Sequence, residues 1–84
     1  MSYFKASGCE NGKGIHLKYN IFTNQIVRVQ NNVYQKGIDI QHGNKSWLID
    51  NYDKSTEAEF LTAYNEVSKF ILSNVGQPAS LKTT

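Results

Sequence analysis

The chain has 84 residues, with nine Lys and Arg against seven Asp and Glu, five Tyr, four Phe, and a single Cys, Pro and Trp. A chain this short buries only about 60 to 65% of the surface its unfolded form exposes, which leaves one modest core and excludes a multidomain enzyme with a large cofactor cleft. The formal charge of +2 is too small to require an acidic partner, a single Cys makes no internal disulfide, and no apolar run approaches the roughly 20 residues that cross a bilayer.

Tyr3 to Ala6 fits a short first strand, followed by a flexible connection through Gly8, Asn11, Gly12 and Gly14. From Ile15 the pattern sharpens: Ile15, Leu17, Tyr19 and Ile21 alternate with His16, Lys18 and Asn20, the period of a strand with one face on a core. Thr23-Asn24 turns the chain into Gln25 to Gln30, and Asn31-Asn32 turns it again, since Asn tolerates the positive φ of tight hairpins. Val33 to Ile40 follows as another strand, with Gly37 a candidate bulge, and His42-Gly43-Asn44 leads to a further strand at Ser46 to Asp50. The period then changes. Thr56 with Glu59 three residues later has the form of a capping box, Phe60, Ala63, Tyr64, Val67 and Ile71 recur at helical spacing, and Gly76 and Pro78 signal the stop. The expected fold is α+β: an antiparallel meander of four or five strands with one C-terminal helix on one face. Residues 1–76 form the single domain and 77–84 a flexible tail.

Sheet and helix dimensions bear on function. Four or five strands at about 4.8 Å make a sheet roughly 20 Å wide, and one helix about 10 Å across covers one face only. Ile15, Leu17, Tyr19 and Ile21 with Val27 and Val29 are assigned to the helix, which leaves Phe22 and Ile26, and some of Val33, Tyr34, Trp47 and Leu48, on the other face. An uncovered apolar face marks an interface, so a homo-oligomer or a protein partner is expected, with Phe22, Ile26 and Trp47 as anchors. An exposed edge strand offers a second route, because its unpaired backbone groups accept another strand.

The remaining chemistry is sparse. Gly8 to Gly14 resembles a phosphate loop only superficially: three residues separate Gly8 from Gly12, Gly14 follows Lys13 where Ser or Thr belongs, and the segment leads into a strand. Cys9, His16 and His42 lack metal-ligand spacing, Cys9 has no helix N-terminus to activate its thiol, and Ser46, His42 and Asp39 share only proximity in sequence. Glu57 and Glu59 suit the electropositive start of the helix and Glu66 a solvated face. No cofactor, no metal and no catalysis is expected, with a small-ligand site or enzyme at a subunit interface, using Cys9, His16 or His42, the remotest alternative. The basic and aromatic residues are a better constellation. His16, Lys18, Arg28 and Lys36, with Tyr34, occupy neighbouring strands, and cations with aromatic faces bind single-stranded nucleic acid. Residues 1 to 50 hold six basic and three acidic side chains, against three and four in 51 to 84. Eight of the nine basic residues are Lys, and Asn and Ile are also frequent, the signature of a low-GC genome, so Lys abundance alone argues little. The first reading is therefore a small, cytoplasmic, non-enzymatic, self-associating interaction module, and the second a single-stranded nucleic-acid binder.

Overall fold

Four strands, β1 (Ser2–Lys5), β2 (Gly14–Asn20), β3 (Gln25–Asn31) and β4 (Lys36–His42), form an antiparallel meander in the computed structural model, which describes residues 1–74. A two-residue strand, β5 (Asp53–Lys54), pairs with the free side of β1, giving the order β4-β3-β2-β1-β5. Helix α1 (Lys45–Asn51) links β4 to β5, and helix α2 (Glu57–Asn74) follows. The tail expected over 77–84, with the stop signals Gly76 and Pro78, lies outside the described residues. No helix among the described residues is long and apolar enough to cross a membrane.

Local chemistry accounts for most boundaries. Asn24 takes φ +58° in the β2–β3 turn, as its residue type allows. The Thr56 hydroxyl accepts the backbone N–H of Glu59 at 3.3 Å, so α2 starts where the capping box placed it. Two expectations are corrected. Gly37 makes no bulge: the β3–β4 ladder runs unbroken from Asn31 opposite Lys36 to Gln25 opposite His42, and Val33 and Tyr34 lie in the preceding turn. The strand expected at Ser46 to Asp50 is helix α1. Asn44 caps it, its Oδ1 accepting from the Trp47 backbone N–H at 3.0 Å and the Ser46 hydroxyl at 2.9 Å.

The path of α1 follows from distance. From β4 to β5 the chain crosses four strand spacings, about 19 Å, and ten residues are available. Seven helical residues rise about 10 Å and three extended ones add about 10 Å, so α1 has no slack and lies across the sheet face. Leu48, fully buried, packs there against Phe4, Leu17, Tyr19 and Ile26. On the opposite face, Phe60, Ala63 and Val67 of α2 bury Val29, with Tyr3, Val27 and Ile38 packed around them.

The faces therefore differ from the sequence assignment. The four-residue β2–β3 turn sets Leu17 opposite Arg28 and Tyr19 opposite Ile26, whereas Val27 and Val29 lie opposite Lys18 and His16. An even number of turn residues pairs odd positions of β2 with even positions of β3, and opposed residues share a face. Leu17 and Tyr19 thus belong to the α1 face with Ile26, and Val27 and Val29 to the α2 face. Both faces are covered, and the part of the α1 face beyond Leu48 presents Arg28, Gln30, Asp39 and Gln41 rather than apolar groups.

Candidate functional site

The three anchors read from the sequence do not form one surface. Phe22 stands 87% exposed in the β2–β3 turn, Trp47 is half-exposed on α1 with its ring edge-on to Tyr52 at 5.5 Å, and Ile26 is 1% exposed inside the core. Ile26 is unavailable to a partner because α1 covers it.

The five basic and aromatic candidates separate as well. His16 is fully buried under α2, with Nε2 2.7 Å from the Lys13 carbonyl oxygen and Nδ1 without a protein partner. Lys18 lies on the same face, beside Phe60, Leu61 and Tyr64. Arg28 is on the α1 face, bonded to Asp39 at 3.2 Å. Tyr34 is 96% exposed in the β3–β4 turn, and Lys36 donates to Asn31 Oδ1 at 2.7 Å with its ammonium 6.0 Å from the Phe70 ring centre. No single face presents all five.

Cys9, His16 and His42 are also apart. The Cys9 sulfur sits over the Cα of Gly14, in the space a side chain there would need, and Gly14 has φ +83°. His42 lies two strands over from His16 and four residues along, roughly 16 Å at sheet spacings. Among the described residues no group of three or more His, Cys, Asp and Glu side chains is placed to hold a metal ion.

Charged groups instead tie α2 to the β1–β2 side of the sheet. Lys5 Nζ donates to Glu59 Oε2 at 2.9 Å, and Lys13 Nζ to Glu66 Oε1 at 2.7 Å. Asn31, 1% exposed, donates Nδ2 to the Gly12 carbonyl at 2.8 Å and to Glu66 Oε1 at 2.9 Å. The Lys5 hydrogen bond holds the Glu59 carboxyl below its ordinary pKa, and those from Lys13 and Asn31 do the same for Glu66; the Lys5 ammonium is raised by Glu59. These contacts are spent on packing the helix.

What remains open is an edge. β4 pairs only with β3 among the described strands, so one whole side of its seven residues faces away from the sheet. Its backbone parity follows from the hairpin: the Asn32 N–H donates to the Gln35 carbonyl at 2.9 Å and the Gly43 N–H to the Asn24 carbonyl at 3.1 Å. Alternation between those bonds directs the backbone groups of 37, 39 and 41 to β3 and those of 36, 38, 40 and 42 outward. Beside the open edge, on the α2 face, Val27, Ile38 and Ile40 form the floor of a groove walled by Phe60, Leu61 and Tyr64. Ile40 is 60%, Leu61 44% and Tyr64 38% exposed. On the other face the same strand carries Asp39, held by Arg28 and by Gln41 Nε2 at 3.0 Å.

A second hollow lies between β1, β5 and α1, with Phe4, Ile49, Tyr52, Lys45, Asp53 and Lys54 among its walls. Its charged side chains, Lys45, Asp53 and Lys54, are exposed and of both signs, and the Ser55 Oγ in its wall is buried without a protein partner. The β4 edge is the residue set that sequence reasoning did not assemble: the alternation Ile38, Ile40 was visible, but not that the strand ends the sheet or that Leu61 and Tyr64 flank it. No family model, curated protein or solved structure matches this chain.

Proposed function

We propose that the protein is a small interaction module that self-associates through the outer edge of β4. The observation that carries this is the coincidence of an open seven-residue strand edge with the apolar groove of Ile38, Ile40, Leu61 and Tyr64 on one side of it. Unpaired strand backbone accepts another strand, and exposed apolar groups beside it give the addition a hydrophobic term. A second copy supplies both halves, because a two-fold axis at the edge brings strand to strand and groove to groove. Helices lie on both sheet faces and the uncovered part of the α1 face is polar, which favours the edge over a sheet face for association.

Sedimentation velocity over a concentration series tests this. The wild-type mass is expected to rise from one chain to two and level there. Ile40→Lys, at a position 60% exposed, is expected to give a folded monomer by circular dichroism. A wild type that stays monomeric to about 1 mM, or an Ile40→Lys variant that associates as the wild type does, overturns the proposal.

A further inference from the structure

Resting on self-association at β4, the two-fold arrangement itself can be worked out. Opposed residues of an antiparallel pair share a face, and along β4 the even positions face α2 while the odd positions face the other side. A two-fold axis normal to the sheet preserves faces, so residue i meets residue j only where i + j is even, and the axis passes through a residue. Axes at Ile38, Asp39 or Ile40 keep five or more residues of each β4 strand paired.

The three differ in what they use. An axis at Ile38 or Ile40 pairs five of the seven residues of each strand, whereas one at Asp39 pairs the whole of Lys36–His42. In the Asp39 arrangement all four outward residues, 36, 38, 40 and 42, fall in hydrogen-bonded pairs, and Ile38 meets the second copy's Ile40 twice, over the groove. Its cost is Asp39 opposite its own copy in a non-hydrogen-bonded pair, with the Cα atoms about 4.5 Å apart and side chains close. Like charges so placed are destabilising.

Arg28 removes most of that cost. It lies directly opposite Asp39 on β3 and bonds it at 3.2 Å. Across the axis the row then reads Arg28, Asp39, Asp39, Arg28, with opposed Cα atoms about 5.5 Å apart within each copy and about 4.5 Å apart across the axis. The new repulsion between carboxylates acts over one spacing, and each Arg28 attracts the far carboxylate over two. Two attractions over about 10 Å offset about nine-tenths of one repulsion over about 4.5 Å at a uniform dielectric, and with the weaker repulsion between the arginines about two-fifths of the cost remains. We infer that two copies of this chain pair β4 to β4 about a two-fold axis through Asp39, and that Arg28 is the residue that makes this arrangement admissible.

Disulfide trapping and a charge cycle test the inference, in a Cys9→Ser background. Asp39→Cys is expected to form a covalent dimer with itself on mild oxidation, because the Cα separation of a non-hydrogen-bonded pair suits a disulfide. Ile38→Cys and Ile40→Cys are expected to cross-link when mixed, and poorly alone. By sedimentation equilibrium, Arg28→Gln is expected to weaken association about two- to fivefold, from two exposed carboxylates left facing each other. Adding Asp39→Asn to Arg28→Gln is expected to restore it. Self-linking of Ile38→Cys or Ile40→Cys with none for Asp39→Cys, or an Arg28→Gln variant that associates like the wild type, overturns the axis through Asp39 while leaving the edge in use. Loss of wild-type dimer altogether is a different result, and it removes the β4 proposal itself.

Discussion

Leu48 is the residue on which coverage of the second sheet face depends, and Leu48→Ala measures it. The side chain is fully buried and meets Phe4, Leu17, Tyr19 and Ile26, whereas its α1 neighbours Trp47 and Ile49 are 47% and 57% exposed. Truncation removes the equivalent of about three methylene groups, or about 2.4 kcal/mol of transfer free energy. A residual cavity adds to this, and Leu→Ala changes in cores fall between about 2 and 5 kcal/mol. Helix α1 is only seven residues long and too short to persist without its contact, so some collapse over the cavity is expected. About 3 kcal/mol is the resulting expectation. In a domain this small that lowers Tm by roughly 12 to 24 °C. Urea unfolding followed by circular dichroism gives the free energy, and Trp47 fluorescence reports separately on its edge-on contact with Tyr52. A loss below about 1 kcal/mol would refute the packing of α1 on the sheet, and Ile26 would then return as a surface residue.

Two further outcomes follow from the β1–β2 side. Gly12 has φ +74°, and a methyl group added there would lie 2.7 Å from Thr62 Cγ2 and 2.9 Å from the Ala63 backbone nitrogen; Gly12→Ala is therefore expected to cost at least about 2 kcal/mol in urea unfolding, and a neutral result would mean that the loop does not press on α2 as described. Glu59 and Glu66 are held below their ordinary pKa of 4.5 in the folded chain, so their stabilisation is complete above that pH and is lost as the pH falls below it through the lowered folded values. Lys5, raised from 10.5, contributes below that pH and loses its contribution only above it. Urea midpoints are thus expected to be level in this respect from pH 7 to 5 and to descend below about pH 4.5, less steeply in Glu59→Gln/Glu66→Gln. An acid limb of equal slope in that variant would remove the two ion pairs from the account.

Residues with a local physical signature were legible in the sequence. The Thr56 cap and the Phe60, Ala63 and Val67 stripe each depend on a few neighbouring positions and stand where the sequence put them, and β2 is a strand as its alternation predicted, although Leu17 and Tyr19 face α1 rather than α2 and Ile21 falls in the turn that follows. What failed was pairing information. Leu17 and Val27 look interchangeable as apolar strand residues, and only the turn of 21–24 sends them to opposite faces. Ser46 to Asp50 reads equally well as a strand, because a seven-residue helix with one inward side chain leaves no 3.6-residue stripe. His16 showed the same limit. Between apolar neighbours on an alternating strand it belongs to the polar face, yet that face is the one α2 covers. With it went the proposed basic surface, since Lys18 and Arg28 share no face in a ladder that sets Lys18 opposite Val27. The open edge was illegible for a related reason: β5, two residues long, decides that β1 is internal and β4 is terminal, and no periodicity announces a two-residue strand.

The inequality of the two edges also bears on why association should close at two copies. Growth into a longer assembly through strand addition needs a second open edge, and the other end of this sheet is β5. It offers two residues, Asp53 and Lys54, both charged and exposed, and the Ser55 N–H that follows bonds the Tyr3 carbonyl. Short, charged edge strands are the usual means by which sheets resist further pairing. β4 lacks that protection along Ile38 and Ile40, and its two charges are already engaged, Lys36 by Asn31 and Asp39 by Arg28. An interface made from one edge with itself uses the only long edge each copy has among the described residues, so nothing equivalent is left there to extend it. If two copies pair at β4 as proposed, the charge on the strand selects register rather than barring association. On the proposed arrangement, Asp39 disfavours a strand that places an uncompensated carboxylate across from it more than it disfavours a copy of β4, which brings its own Arg28.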